Sequence, residues 1–313
     1  MNQTEDIIVS IICNTYNHES YIRQCLDGFI MQKTTFAFEI LIHDDASTDN
    51  TANIIREYEV NYPDIIKPIY QTENQYSKKT GIMKTFQYPR VKGKYIALCE
   101  GDDYWIDSLK LQKQVDFLEK NLEYVMVYGQ VKQYNQDRNK FGKLFGKPFQ
   151  DTKTLFISNS IPTLTVLLKK ELINKYNQEI GNFNTWLLGD YPLWLYASVH
   201  GKVGFIPSLF GVYRVLSNSA SHSTDYKKKL KFVQSMFDMK LFFAKLYNIV
   251  SVQDVEQMKF SSLCNTAIQY NQILDASIYY NKIINPSFNL SIKYYLNKIQ
   301  AKWLLKLIQK IRY

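Results

Sequence analysis

Through Val131 the chain alternates short apolar, β-branched runs with stretches of helical periodicity, and no other feature restricts its fold as strongly. Residues 7–13, IIVSIIC, are apolar on both faces, as a strand covered from both sides must be. Runs at 38–43, 65–70, 94–99 and 124–131 read as further strands. Between them Ile22, Leu26, Phe29 and Ile30, then Ile54, Ile55 and Tyr58, then Leu111, Val115, Leu118 and Leu122 recur at helical spacing. This alternation implies an α/β fold, a sheet flanked by helices. Asn17 is expected to cap the first helix, Ser47-Thr48-Asp49 to open the second, and Pro63 to close it.

Downstream, the Lys/Gly/Phe-rich residues 135–153 read as a loop. Residues 162–168, 202–207 and 210–215 read as strands, with a helix from about Pro192 to His200 that ends at Gly201. From residue 226 onward the pattern is helical throughout. The expected organisation is therefore an α/β domain over 1–225 and a C-terminal helical region over 226–313.

The net charge of +9 is concentrated in that second region, where residues 227–313 carry 14 Lys and Arg against 4 Asp and Glu. The remainder is close to neutral, which argues against nucleic-acid binding by the α/β domain and points the tail toward anionic surfaces. Hydrophobic content of 46% and aromatic content of 15% describe a packed globular protein. Cys13, Cys25, Cys99 and Cys264 form no CxxC pair and sit mostly in apolar runs, as buried free thiols of a reducing compartment do. No signal peptide or membrane span is indicated, so a cytoplasmic location is expected.

Three polar clusters follow strands, where open α/β sheets bind their ligands. The sharpest is Glu100-Gly101-Asp102-Asp103-Tyr104-Trp105. Three carboxylates in four residues repel one another and call for a cation, with Mg²⁺ or Mn²⁺ the natural choice. The bland alternative is an Asp-rich turn before a helix. Asp44-Asp45 ends the second strand and could accept hydrogen bonds from a base N–H or a ribose hydroxyl; helix capping is the competing reading. Residues 14–19 lack both GxGxxG and GxxxxGK[ST], which disfavours dinucleotide and P-loop folds. Tyr16 in that turn is suited to stacking on a nucleobase, or to lying as amphipathic surface.

These residues together resemble family-2 glycosyltransferases of the GT-A fold. The similarity rests on Ser10 to Ile22, with Cys25-Leu26 and Gln32; on Glu39 to Asp49; and on Gly93 to Trp105, and it extends over roughly residues 7–222. It implies a Rossmann-like mixed sheet flanked by helices and followed by the C-terminal helices. It also implies inverting transfer from a nucleoside-diphosphate sugar, most often a UDP-sugar, to a glycan or lipid-linked acceptor in bacterial surface-glycan assembly.

By position the resemblance gives Asn14, Tyr16 and Asp45 the base and ribose. It gives Asp102 the Mn²⁺ or Mg²⁺ ion that bridges the donor diphosphate, with Asp103 beside it and Glu100 in place of the usual first aspartate. Asp190, in Leu188-Gly189-Asp190-Tyr191-Pro192-Leu193-Trp194, matches the catalytic base, although an Asp opening a helix is also an ordinary N-cap. Arg214 is expected on the leaving diphosphate and His222 as a third metal ligand. The family's Arg-Asn pair before the fourth strand is absent, with Lys78, Lys79 or Lys84 as substitutes.

Two other classes compete. A sugar nucleotidyltransferase would carry a Gly-rich, Arg-containing loop after the first strand, which residues 14–20 lack. A non-catalytic nucleotide-sugar-binding protein could dispense with the acids, which are all present. In the tail, Tyr295, Leu296, Trp303, Leu304, Leu307, Ile308 and Ile311 lie among Lys293, Lys298, Lys302, Lys306, Lys310 and Arg312. That pattern suits either a peripheral helix on an anionic membrane, at its inner face, or a helix packed on protein with its basic side in solvent.

Overall fold

A computed structural model of the protein describes residues 6–181, 186–216 and 223–299. The chain divides into two compact units, Met1–Asn184 with Asp190–Val215, and Thr185–Gly189 with Leu216–Tyr313.

The first unit is built on one mixed sheet. Its strands are β1 (Ile7–Thr15), β2 (Ala37–Asp44), β3 (Ile66–Tyr70), β4 (Tyr95–Leu98), β5 (Tyr104–Trp105), β6 (Tyr124–Asn135), β7 (Lys140–Phe145), β8 (Leu167–Lys169) and β9 (Lys202–Val215). The spatial order is β3-β2-β1-β4-β8-β6-β9-β5, with β7 paired to β6. β3, β2, β1 and β4 run parallel, and β8 runs antiparallel to both of its neighbours, β4 and β6. The helices are α1 (Ile22–Ile30), α2 (Thr51–Asn61), α3 (Lys110–Lys120), α4 (Thr152–Ile157), α5 (Lys170–Glu179) and α6 (Tyr191–His200).

The register aligns the strand ends that matter for a site. Asn14 lies opposite His43, Thr15 opposite Asp44, and Ile12 opposite Leu98, so the polar residues after β1, β2 and β4 leave the sheet along one edge. Beneath them Val9, Ile11 and Cys13 of β1 pack with Leu26 and Phe29 of α1, Leu111 and Leu118 of α3, and Trp105. Ile12, Leu41 and Ile96 on the opposite face are buried too, as the two-sided apolar runs require. Each large side chain so buried contributes about 1.5–3 kcal/mol before the entropy of ordering it is counted.

Several local expectations are corrected. Residues 135–153 hold the β6–β7 hairpin and α4 instead of a loop. Five of the six β7 residues are exposed, so no apolar alternation announces that strand. The strand expected over 162–168 is a 3₁₀ turn, Thr163–Thr165, followed by the three-residue β8. Asn17 does not cap α1; it adopts φ 55° and its side chain accepts the Thr48 N–H at 2.8 Å. Ser47 and Thr48 do not cap α2 either, because its cap residue is Asn50. Leu122 lies beyond the end of α3 and is 70% exposed.

Lys110 is an unforeseen member of the core. It is fully buried, its Nζ donates to Gln114 Oε1 at 2.7 Å, and it lies 3.9 Å from the Trp105 ring centroid. Burial lowers its pKa to about 7. Between that value and the ordinary lysine range the unfolded chain holds a proton that the folded chain has released, so this residue's contribution to stability rises with pH above about 7. Lys110→Met, which removes the ionisable group while keeping an unbranched apolar stem, is expected to raise the melting temperature most at pH 6–7 and least near pH 10. Melting curves across that pH range check it, and equal shifts at every pH would contradict it.

The second unit contains α7 (Tyr226–Tyr247), α8 (Val252–Gln269), α9 (Ile273–Tyr280) and α10 (Phe288–Lys298). Asp225, Ser251 and Ser287 cap three of them through side-chain acceptors. Its small core joins Cys264, Ala267, Ile268, Ala276, Leu290 and Tyr294, with Tyr280 stacked on Tyr294 at 4.0 Å. Among the described residues no helix is long and apolar enough to cross a membrane. Residues 300–313, including Trp303, Leu304, Leu307, Ile308 and Ile311, lie outside the described residues.

Candidate active site

The loops after β1 and β2 are tied to each other. Asn17 N–H donates to Ser47 Oγ at 2.9 Å, His18 N–H to Thr51 Oγ1 at 2.8 Å, and Glu19 N–H to Asp49 Oδ2 at 3.0 Å. The loop after β4 joins them through Gly101 N–H, which donates to Asn14 C=O at 3.0 Å. Gly101 is required there, since a Cβ would stand 2.7 Å from Thr15 Oγ1 and 3.0 Å from His18 Nδ1.

Within this frame Tyr16 is 43% exposed at the loop surface. Asn14 is held by its neighbours: Gln87 Nε2 donates to its Oδ1 at 3.0 Å, and its own Nδ2 faces Met83 Sδ at 3.2 Å. Asp45 is 3% exposed and accepts the backbone N–H groups of Gln75 at 2.7 Å and Tyr76 at 3.0 Å, so in this structure it anchors the loop after β3. Each of its oxygens retains a second lone pair for a ligand. Lys78, considered for the diphosphate, pairs with Glu73.

The acidic turn after β4 has a distinct geometry for each carboxylate. The Glu100 residue is exposed, yet desolvation by the surrounding protein, and then the charges of Asp102 and Asp190, push its pKa up to about 8. Its carbonyl accepts the buried thiols of Cys25 at 3.5 Å and Cys99 at 3.6 Å. Burial raises the pKa of both thiols, so they act as protonated donors beneath the turn; all four cysteines are free and buried. Asp102 is half-buried, and its charge is also felt by His18.

Asp103, expected at the metal, is instead 5% exposed, with Oδ1 accepting the Arg214 backbone N–H at 2.7 Å. It straps the turn to β9. Burial and then the adjacent Asp102 raise its pKa well above the carboxylate range. Arg214, expected on the diphosphate, is also a brace. It is 7% exposed, donates to Asp102 C=O and to Gln24 Oε1, and lies 4.7 Å from the Tyr104 ring centroid and 5.0 Å from that of Tyr21. β5 pairs with β9 at Tyr104 opposite Val212, which places this arginine against the turn. His222 lies outside the described residues.

Asp190 caps α6. Its Oδ1 accepts the Tyr191 N–H at 2.7 Å, and its Oδ2 accepts the Thr163 hydroxyl. The sequence marks Asp190 but not Thr163 as its partner; IPTLTV carries no motif that pairs a threonine with a residue 27 positions away.

The donor set suits a hard divalent cation. Burial, and then the charges of Asp102 and Asp190, push the Glu100 pKa up, and positive charge brought there would relieve the repulsion between the acids. Among the described residues no three His, Cys, Asp or Glu side chains close into a ready-made metal cage. The ions that such acids hold usually take one or two carboxylates and complete their shell with substrate phosphates and water.

The chain belongs to glycosyl transferase family 2, whose model matches residues 10–173. An uncharacterised Mycobacterium tuberculosis protein is 35% identical over 227 residues, which are 70% of this chain and 63% of that one. The chain thus spans less than two thirds of the length of that relative. The Escherichia coli UDP-Glc:alpha-D-GlcNAc-diphosphoundecaprenol beta-1,3-glucosyltransferase WfgD is 27% identical over 72% of this chain and 84% of its own. The crystal structure of S. aureus TarS 1-349 in complex with UDP-GlcNAc superposes with a TM-score of 0.57 at 15% identity, over 84% of this chain and 73% of TarS. The fold is that of the GT-A glycosyltransferases: a mixed sheet flanked by helices, followed by C-terminal helices.

Proposed function

We propose that the protein is an inverting glycosyltransferase. It moves a sugar from a nucleoside diphosphate, a UDP-sugar first among candidates, to a hydroxyl of a glycan or lipid-linked acceptor in bacterial surface-polysaccharide assembly. What supports this reading is that Glu100, at the end of β4, feels the charges both of Asp102 in the same turn and of Asp190 at the start of α6. WfgD's UDP-glucose donor and diphosphoundecaprenol-linked acceptor support the substrate class.

Asp190 accepts the proton of the acceptor hydroxyl as that oxygen bonds to the anomeric carbon, and the bond from that carbon to the diphosphate breaks with its electron pair. Asp102 would hold Mn²⁺ or Mg²⁺, which when bound supplies charge neutralisation for the departing diphosphate. Glu100 would hold ribose or ordered water beside it. Asn14, Tyr16 and Asp45 receive the base and ribose along the β1 and β2 ends. Arg214 and Asp103 keep the acid turn in place. The catalytic domain covers residues 1–225, and the basic helices after it approach an anionic membrane from the cytoplasmic side, where a lipid-linked acceptor is presented.

A donor panel tests this reading. Purified protein with Mn²⁺ or Mg²⁺ is expected to release nucleoside diphosphate from one of a set of UDP-, GDP- and dTDP-sugars, and chelator is expected to stop it. Absence of both release and calorimetric nucleotide binding would refute the site.

A further inference from the structure

Thr163 belongs to none of the sequence motifs, yet its hydroxyl donates to Asp190 Oδ2 while the Tyr191 N–H occupies Oδ1 at 2.7 Å. Two donors from separate parts of the fold therefore fix both carboxylate oxygens. Each oxygen keeps a lone pair, so the group can still accept a proton.

The turn that carries Thr163 is itself rigidly held. Thr165 is fully buried, its Oγ1 donating to Pro162 C=O at 2.8 Å and accepting the Gly129 N–H at 3.2 Å. Leu164 is 1% exposed, and its carbonyl accepts Trp105 Nε1–H at 2.7 Å. Trp105 stands two residues beyond Asp103, so this one turn couples the acid-bearing end of β4 to the carboxylate at the start of α6.

Resting on the base role given to Asp190, we propose that Thr163 is a positioning residue that fixes the orientation of the Asp190 carboxylate. With both oxygens held by separate donors the carboxylate keeps one orientation toward the acceptor hydroxyl, and removing the Thr163 hydroxyl frees its rotation. The proton balance of transfer is unchanged, since the acceptor's proton still ends on Asp190 and Thr163 keeps its own.

The test compares Thr163→Val, Thr163→Ala and Thr163→Ser with wild type. Using the donor that turns over in the panel, kcat is expected to fall about 10- to 100-fold in Val and Ala with donor KM nearly unchanged, and to recover in Ser. A merely structural threonine would lower the melting temperature while leaving kcat of the folded enzyme at the wild-type value. Wild-type kcat in whichever of the Val and Ala variants folds, with Asp190→Asn inactive, would overturn the proposal. Full turnover in Asp190→Asn would instead overturn the base reading, and this proposal with it.

Discussion

Asp190→Asn is expected to lower sugar transfer by about a thousandfold, the scale of a lost general base, while nucleotide affinity and melting temperature stay close to wild type. The geometry explains why the variant should fold. Asparagine is as good an N-cap as aspartate, and its Oδ1 can accept the Tyr191 N–H while its Nδ2 donates to the Thr163 hydroxyl in place of the bond that hydroxyl now gives. What disappears is the basic lone pair. Steady-state transfer and calorimetric titration of UDP, run side by side, separate the two effects. Turnover within tenfold of wild type would remove Asp190 from the mechanism, and lost UDP binding would mean that the residue shapes the nucleotide site instead.

Arg214→Ala is expected to cost about 3 kcal/mol of stability together with most of the activity, because truncating a buried long side chain removes packing and strands the groups it served. The Asp102 carbonyl and Gln24 lose their donor, and the space beside Tyr21 and Tyr104 empties. Arg214→Lys should fall between, since an ammonium cannot reach both acceptors as a planar fork does. An arginine serving only the leaving diphosphate would behave differently: its loss would weaken donor binding and leave the melting temperature alone. Thermal melting of the two variants decides between these roles.

The outcome at Arg214 and Asp103 marks where sequence reading stopped. Both were expected at the site by their position beside a strand end, and both lie against the turn after β4. Their direction depends on β9 returning beside the two-residue β5, a pairing between segments more than a hundred residues apart. A charge pattern reports that carboxylates need a cation, but not whether a buried arginine or a bound ion answers the need. Lys110 shows the same limit from the other side: its helix face was legible from Leu111, Val115 and Leu118, whereas its burial against Trp105 was not.

By itself the sequence determined the sheet-and-helix frame, because two-sided burial demands continuous apolar strands and one-sided burial demands helical periodicity, and both patterns are local. It also determined which strand ends carry polar chemistry, since Asn14, Asp45, Glu100, Asp102 and Asp190 all follow or precede elements readable from their neighbours. Tertiary structure alone decided which acids are spent as struts, as Asp45 and Asp103 are, and which stay exposed, as Glu100 does. It also converted an expected strand into the turn that sets Thr163 on Asp190, and made a hairpin of an expected loop. Those choices rest on hydrogen bonds between distant segments, formed wherever a buried polar group must find a partner, and no local pattern encodes which partner it finds.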